Sequence, residues 1–175
     1  MRYPRSLLAL LTLVPVVAGC QFSFSSGGPD YKKLESAITD ELNKQYSSMS
    51  EQVSSVECPR PSSSPKAGSS FTCIADLDGN DVRVEVKFTD DDYNVDFATL
   101  DVVFDLTETE KGLSQDISQD YGFNVKVNCG SGLKVVPVGE SFECEAVDGR
   151  GDTRPVKVTA GGPDNDDTWE VIGGN

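Results

Sequence analysis

The sequence predicts an α+β protein built as a tandem of two small modules, each one helix plus an antiparallel sheet of about four strands with one disulfide. Three observations predict it. A cysteine-bracketed segment occurs twice: "GSSFTC" at 68–73 returns as "GESFEC" at 139–144, with Cys58 fifteen positions before Cys73 and Cys129 fifteen before Cys144. An apolar stripe at helical spacing precedes each segment. Runs of alternating polarity follow each one, separated by turn-forming residues.

The opening "MRYPRSLLALLTLVPVVAGC" stands apart from the modules. It has a basic start (Arg2, Arg5), an apolar run from Leu7 to Val17 interrupted only by Thr12 and Pro15, and small residues before a cysteine. That is the build of a secretory signal peptide, here residues 1–19. The run is too short to cross a bilayer, which takes roughly 20 apolar residues. Its end, "VAGC" at 17–20, resembles the bacterial lipobox, which implies a diacylglyceryl-modified Cys20 as the new N-terminus, carrying acyl chains such as palmitate. Two or three such chains anchor stably. A lipid on Cys20 also explains an odd total of five cysteines, since four are left to pair. Residues 20–30, "CQFSFSSGGPD", then read as a flexible tether rich in Ser and Gly.

The first module is expected over 31–104. Leu34, Ile38, Leu42 and Tyr46 recur every fourth residue on one helix face, with Asp30 placed to cap the helix. "QVSSVEC", "SSFTCIADL", "VRVEVKFT" and "YNVDFA" follow as strands, with Val82, Val84, Val86 and Phe88 on one face. "TLDVVFDL" at 99–106 changes the parity of its apolar residues near Ala98, which predicts a bulge or bend there. It reads as a continuation of the fourth strand that packs the two modules together.

The second module is expected over 105–175. Thr107 and Glu110 have capping-box spacing, Leu113, Ile117 and Tyr121 form the stripe, and Gly122 stands at the C-terminal stop. Gly112 weakens this helix, which reads as about one turn shorter than the first. "NVKVNC", "ESFECEAV", "TRPVKVTA" and "TWEVIG" match the four strands of the first module. Phe71 and Phe142, two residues before a cysteine, share its sheet face and point to the core.

Modules of about 70 residues bury too small a core for comfortable stability. A disulfide closing a loop of about 15 residues contributes on the order of 3 kcal/mol. Four cysteines allow three connectivities, and the repeat favours Cys58–Cys73 with Cys129–Cys144. Such bridges belong to an oxidising compartment.

Charge and composition exclude several functions. The net charge is −14, and loss of the signal removes two of 15 basic residues and none of 29 acidic ones, leaving −16. Such a surface is repelled by nucleic acid and by anionic headgroups. There is no histidine, hence no imidazole-based nucleophilic machinery or metal site. A four-cysteine zinc site needs closely spaced pairs, and fourteen residues separate each pair here. Acids are abundant but nothing selects a catalytic pair, so no catalytic residue and no cofactor is assigned. Asp76, Asp78, Asp90, Asp91, Asp92, Asp164, Asp166 and Asp167 are weak calcium candidates in turns. The EF-hand pattern fails there, because Gly79 is fourth and Lys87 twelfth from Asp76. "RGD" at 150–152 is ordinary turn chemistry.

The marks Cys58-Pro59, Gly68-x-x-Phe71-x-Cys73, Cys129 and Gly139-x-x-Phe142-x-Cys144 give each module a resemblance to domain of unknown function 4333, found in exported bacterial lipoproteins. The second copy departs from the pattern with Gly130 after its first cysteine. The resemblance implies an extracytoplasmic lipoprotein and carries over no catalytic residue. A looser likeness, of topology alone, is to beta-lactamase inhibitory proteins, also tandems of disulfide-bearing helix-plus-sheet modules. The resulting expectation is a non-catalytic binding module of the bacterial envelope, lipid-anchored on the extracytoplasmic side, with another envelope or extracellular protein as partner. The alternatives are a passive structural lipoprotein, an inhibitor of an exported enzyme, or a carboxylate-dependent hydrolase. Trp169 is a candidate contact as well as a candidate core residue.

Overall fold

A computed structural model of the chain describes residues 28–162 and 165–173. The expected signal peptide, the lipid site Cys20 and most of the tether lie outside the described residues. Helix α1 (Tyr31–Gln45) starts where Asp30 accepts a hydrogen bond from the Lys33 amide at 3.2 Å. It buries Leu34, Ile38 and Leu42, and a 3-10 turn (Ser47–Met49) extends it past Tyr46. Each such aliphatic side chain contributes about 1.5–3 kcal/mol by leaving water. Strands β1 (Val53–Glu57), β2 (Ser70–Leu77), β3 (Asn80–Phe88) and β4 (Val95–Thr99) then form an antiparallel sheet in sequential order. The expected valine face is real: Val82, Val84, Val86 and Phe88 are all buried.

The chain turns at Leu100, not at Ala98, and its continuation is not part of the fourth strand. Strand β5 (Asp101–Asp105) leaves the first sheet and leads straight into α2 (Leu106–Tyr121). The cap of α2 is Asp105, whose carboxylate accepts from the amides of Thr107 and Glu108. The Thr107/Glu110 capping box therefore does not form, because the strand delivers an aspartate two residues earlier and Glu110 is used elsewhere. With 16 residues against 15, α2 is not the shorter helix. Gly122 closes it in the left-handed conformation, as expected. Strands β6 (Val125–Asn128), β7 (Leu133–Pro137), β8 (Ser141–Asp148), β9 (Thr153–Thr159) and β10 (Thr168–Val171) complete the chain. The second sheet has the order β10-β9-β8-β6, the counterpart of the first.

Strand β7 stands outside that sheet and pairs antiparallel with β5, aligning Val102 with Val136 and Val103 with Val135. Opposed residues of such a ribbon point to one face. Val103, Leu133 and Val135 pack on the first core, whereas Val102, Phe104 and Val136 pack on the second. The ribbon is thus a wall shared by two hydrophobic cores, which explains the absence of a single alternation in "DVVFD". Phe104 meets Phe142 edge-on at 5.1 Å on one side of it. Both disulfides have the expected pairing, Cys58–Cys73 and Cys129–Cys144. Phe142 is buried, and Phe71 is half-buried against the first core.

Candidate functional site

Each helix carries a polar stripe one position beyond its apolar one, and this stripe serves the sheet. In the second module Glu110, Ser114 and Ser118 accept hydrogen bonds from the amides of Cys129, Val127 and Val125 at 2.6, 2.9 and 2.8 Å. These are the outward amides of edge strand β6 and of the cysteine that follows it, so the helix caps a strand edge that would otherwise need water or a partner. In the first module Glu35 accepts from Cys58 at 3.2 Å and Asn43 from Val53 at 2.8 Å. Thr39, between them, bonds back to the Glu35 carbonyl instead. The signal was present in the sequence as a polar i, i+4, i+8 series in both helices, at 35, 39, 43 and 110, 114, 118.

The matching glutamate–cysteine bonds align the two modules and pair Tyr46 with Tyr121. Their environments are opposite. Tyr46 is 2% exposed beneath the 3-10 turn that brings Met49 onto the first core. The second module has three residues between Tyr121 and Val125 where the first has six between Tyr46 and Val53, and no such turn forms there. Tyr121 and Phe123 are 52% and 50% exposed, with ring centroids 6.0 Å apart. Beneath them lies a notch of about 230 Å³ bordered by Val125, Val171, Arg150 and Arg154. Arg150 is held by the carboxylates of Asp148 and Asp152 at 3.2 and 3.4 Å, so the "RGD" tripeptide pairs its own ends. Backbone amide bonds, first that of Arg150, keep the Asp148 carboxyl below its ordinary range. Arg154 donates to the Gly173 carbonyl.

A larger recess, about 690 Å³, opens at the joint of the modules. Its walls are the C-terminal half of α1, strands β4 and β5, and residues 162 and 165–167. Leu42, Val84, Phe97 and Val103 supply an apolar lining, and Glu41, Asp166 and Asp167 stand among its polar groups. Asp101, 3% exposed, also lines it. Its carboxylate accepts from the Arg83 amide at 2.8 Å and from the guanidinium at 2.5 and 3.1 Å. This bond holds the bend between β4 and β5. Tyr46 also lines the recess, and its buried hydroxyl has no hydrogen-bond partner among the described residues. Burial, and secondarily the Asp101 charge, pushes its pKa up to about 12.

The calcium candidates are scattered over several turns, where their carboxylates cap backbone amides. Asp76 accepts from Gly79, Asp90 from Asp92 and Asn94, Asp91 from Ala67, and Asp167 from Gly161. Asp78 occupies a left-handed turn position, and Asp164 lies outside the described residues. Among the described residues no group of three or more side chains could hold a metal ion. Trp169 is half-buried against the second core. No described helix is long and apolar enough to cross a membrane. The two disulfides fit an oxidising, extracytoplasmic environment.

No curated protein and no solved structure matches the chain, so the looser likeness to beta-lactamase inhibitory proteins gains no support. The family model of domain of unknown function 4333 matches twice, over residues 15–92 and 96–165. The chain belongs to that family and carries two copies of its domain.

Proposed function

We propose that this chain is a lipid-anchored bacterial envelope protein that binds another envelope or extracellular protein and performs no catalysis. The leader over residues 1–19 and the cysteine at position 20 support export and acylation, and the two disulfides agree with an extracytoplasmic location. The observation that carries the binding reading is the Tyr121–Phe123 pair, exposed where the first module buries its equivalent tyrosine. Exposed aromatic rings beside arginines have the composition of an interface core, on a chain whose surface is otherwise acidic. Against a hydrolase stands the Asp101 carboxylate, which is committed to Arg83.

The test is affinity capture from solubilised native envelope with the chain from Gln21 onward, which contains every described element. Its reduced, unfolded form and a Tyr121→Ser/Phe123→Ser variant serve as controls. A protein retained by the folded bait and lost with the aromatic pair supports the reading. Capture of nothing, or capture indifferent to the pair, moves the weight to a passive structural lipoprotein. Absence of labelled palmitate from the wild-type protein in its host would remove the anchor.

A further inference from the structure

We propose that the recess at the joint of the two modules is a binding site for a small amphiphile with a cationic head, an apolar body and a hydrogen-bond acceptor near that body. This site is distinct from the Tyr121–Phe123 notch and stands independently of a protein partner. Its volume of about 690 Å³ falls in the range of ligand cavities, which favour the junctions between structural units. Leu42, Val84, Phe97 and Val103 provide apolar surface for the body.

The charge is matched twice. Glu41, Asp166 and Asp167 outnumber Lys44 among the charged groups lining the recess, and Lys44 is paired with Glu41 at 3.1 Å. The whole chain is strongly acidic, so local and long-range fields favour the same head. Asp101 adds no free charge, because Arg83 neutralises it.

Tyr46 supplies the third element. Buried polar groups are almost always hydrogen-bonded, so the unpaired hydroxyl of this lining residue is the donor that a bound acceptor would satisfy. The group stays protonated throughout the neutral range and can donate there.

The probes are lauroylcholine (ester acceptor, cationic head), dodecyltrimethylammonium (cationic head, no acceptor) and dodecyl sulfate (anionic head). Each is titrated calorimetrically, below its micellar concentration, into the chain from Gln21 onward. Lauroylcholine is expected to bind at one site, roughly tenfold or more tighter than dodecyl sulfate. Tyr46→Phe should weaken lauroylcholine roughly tenfold and leave dodecyltrimethylammonium unchanged. Thr99→Trp, which fills the recess from β4, should abolish binding. A Glu41→Gln/Asp166→Asn/Asp167→Asn variant on the acidic lining should weaken both cations and spare the fold. No saturable binding, equal affinity for both head charges, or indifference to the acidic-lining and Tyr46 variants overturns the proposal.

Discussion

The two modules share a helix, a four-stranded sheet, a disulfide and a glutamate bonded to the amide of the first cysteine, yet they differ inside the disulfide loop. In the first module that loop reads "PRPSSSPKAG", and none of it is strand. In the second it reads "GSGLKVVPVG" and contains β7. Three prolines withhold amide donors from the first loop, and its serines bring no apolar side chains. Leu133, Val135 and Val136 bring both donors and apolar surface, so this loop pairs with β5 and joins the modules. The same covalent frame therefore serves as an isolated clip in one copy and as half of a joint in the other.

The largest effect expected on this comparison comes from Phe104→Ala, which truncates the ribbon on its second-core face. A buried phenylalanine lost in this way costs about 3–5 kcal/mol. Because Val103 beside it belongs to the first core, urea unfolding should remain a single transition at a lower midpoint. A first module that keeps its own midpoint would show that the ribbon does not couple the cores. Next come the disulfides. Serine replacement of either pair removes about 3 kcal/mol of loop-closure stabilisation, the same for both because both separations are 15. Loss of Cys129–Cys144 should cost more, and should speed hydrogen exchange in the first sheet as well, since it loosens β7. Equal midpoints for the two variants would dissolve the contrast.

A smaller difference separates the two glutamates. Glu110 accepts two amide bonds and Glu35 one, so Glu110→Ala should cost about 1–3 kcal/mol and Glu35→Ala about half that, read from thermal midpoints. The last effect shows only at alkaline pH. The Tyr46 pKa is raised in the folded state to about 12, so its contribution is complete below the unfolded value near 10. It is then lost as pH rises toward 12. Tyr46→Phe should flatten the stability profile over that window, read from urea midpoints at successive pH values.

What was legible in the sequence was short-ranged. The stripe Leu34–Ile38–Leu42, the alternation of β3 and the paired cysteine intervals each follow from one element's own geometry. The ribbon was only half legible. A role for 99–106 in packing the modules follows from its apolar content, but a strand buried on both faces loses the alternation that would mark it, and its partner lies inside another loop. The cap of α2 misled for a related reason: Thr107 and Glu110 have the right spacing, but Asp105 is already in place and Cys129 claims the glutamate. Tyr46 and Tyr121 hold equivalent positions in matching stripes. Their opposite burial is decided by the length of the connector that follows each helix, which a helical period does not encode.

The shared wall also has a hereditary consequence. A duplicated gene segment can ordinarily be excised, shuffled or extended into longer arrays, because each copy carries its own core. Here recombination between the copies would separate β5 from β7 and leave Val103 or Phe104 facing water. The two copies would therefore have to travel as one unit, and further growth of the array would require a new disulfide loop able to form a strand.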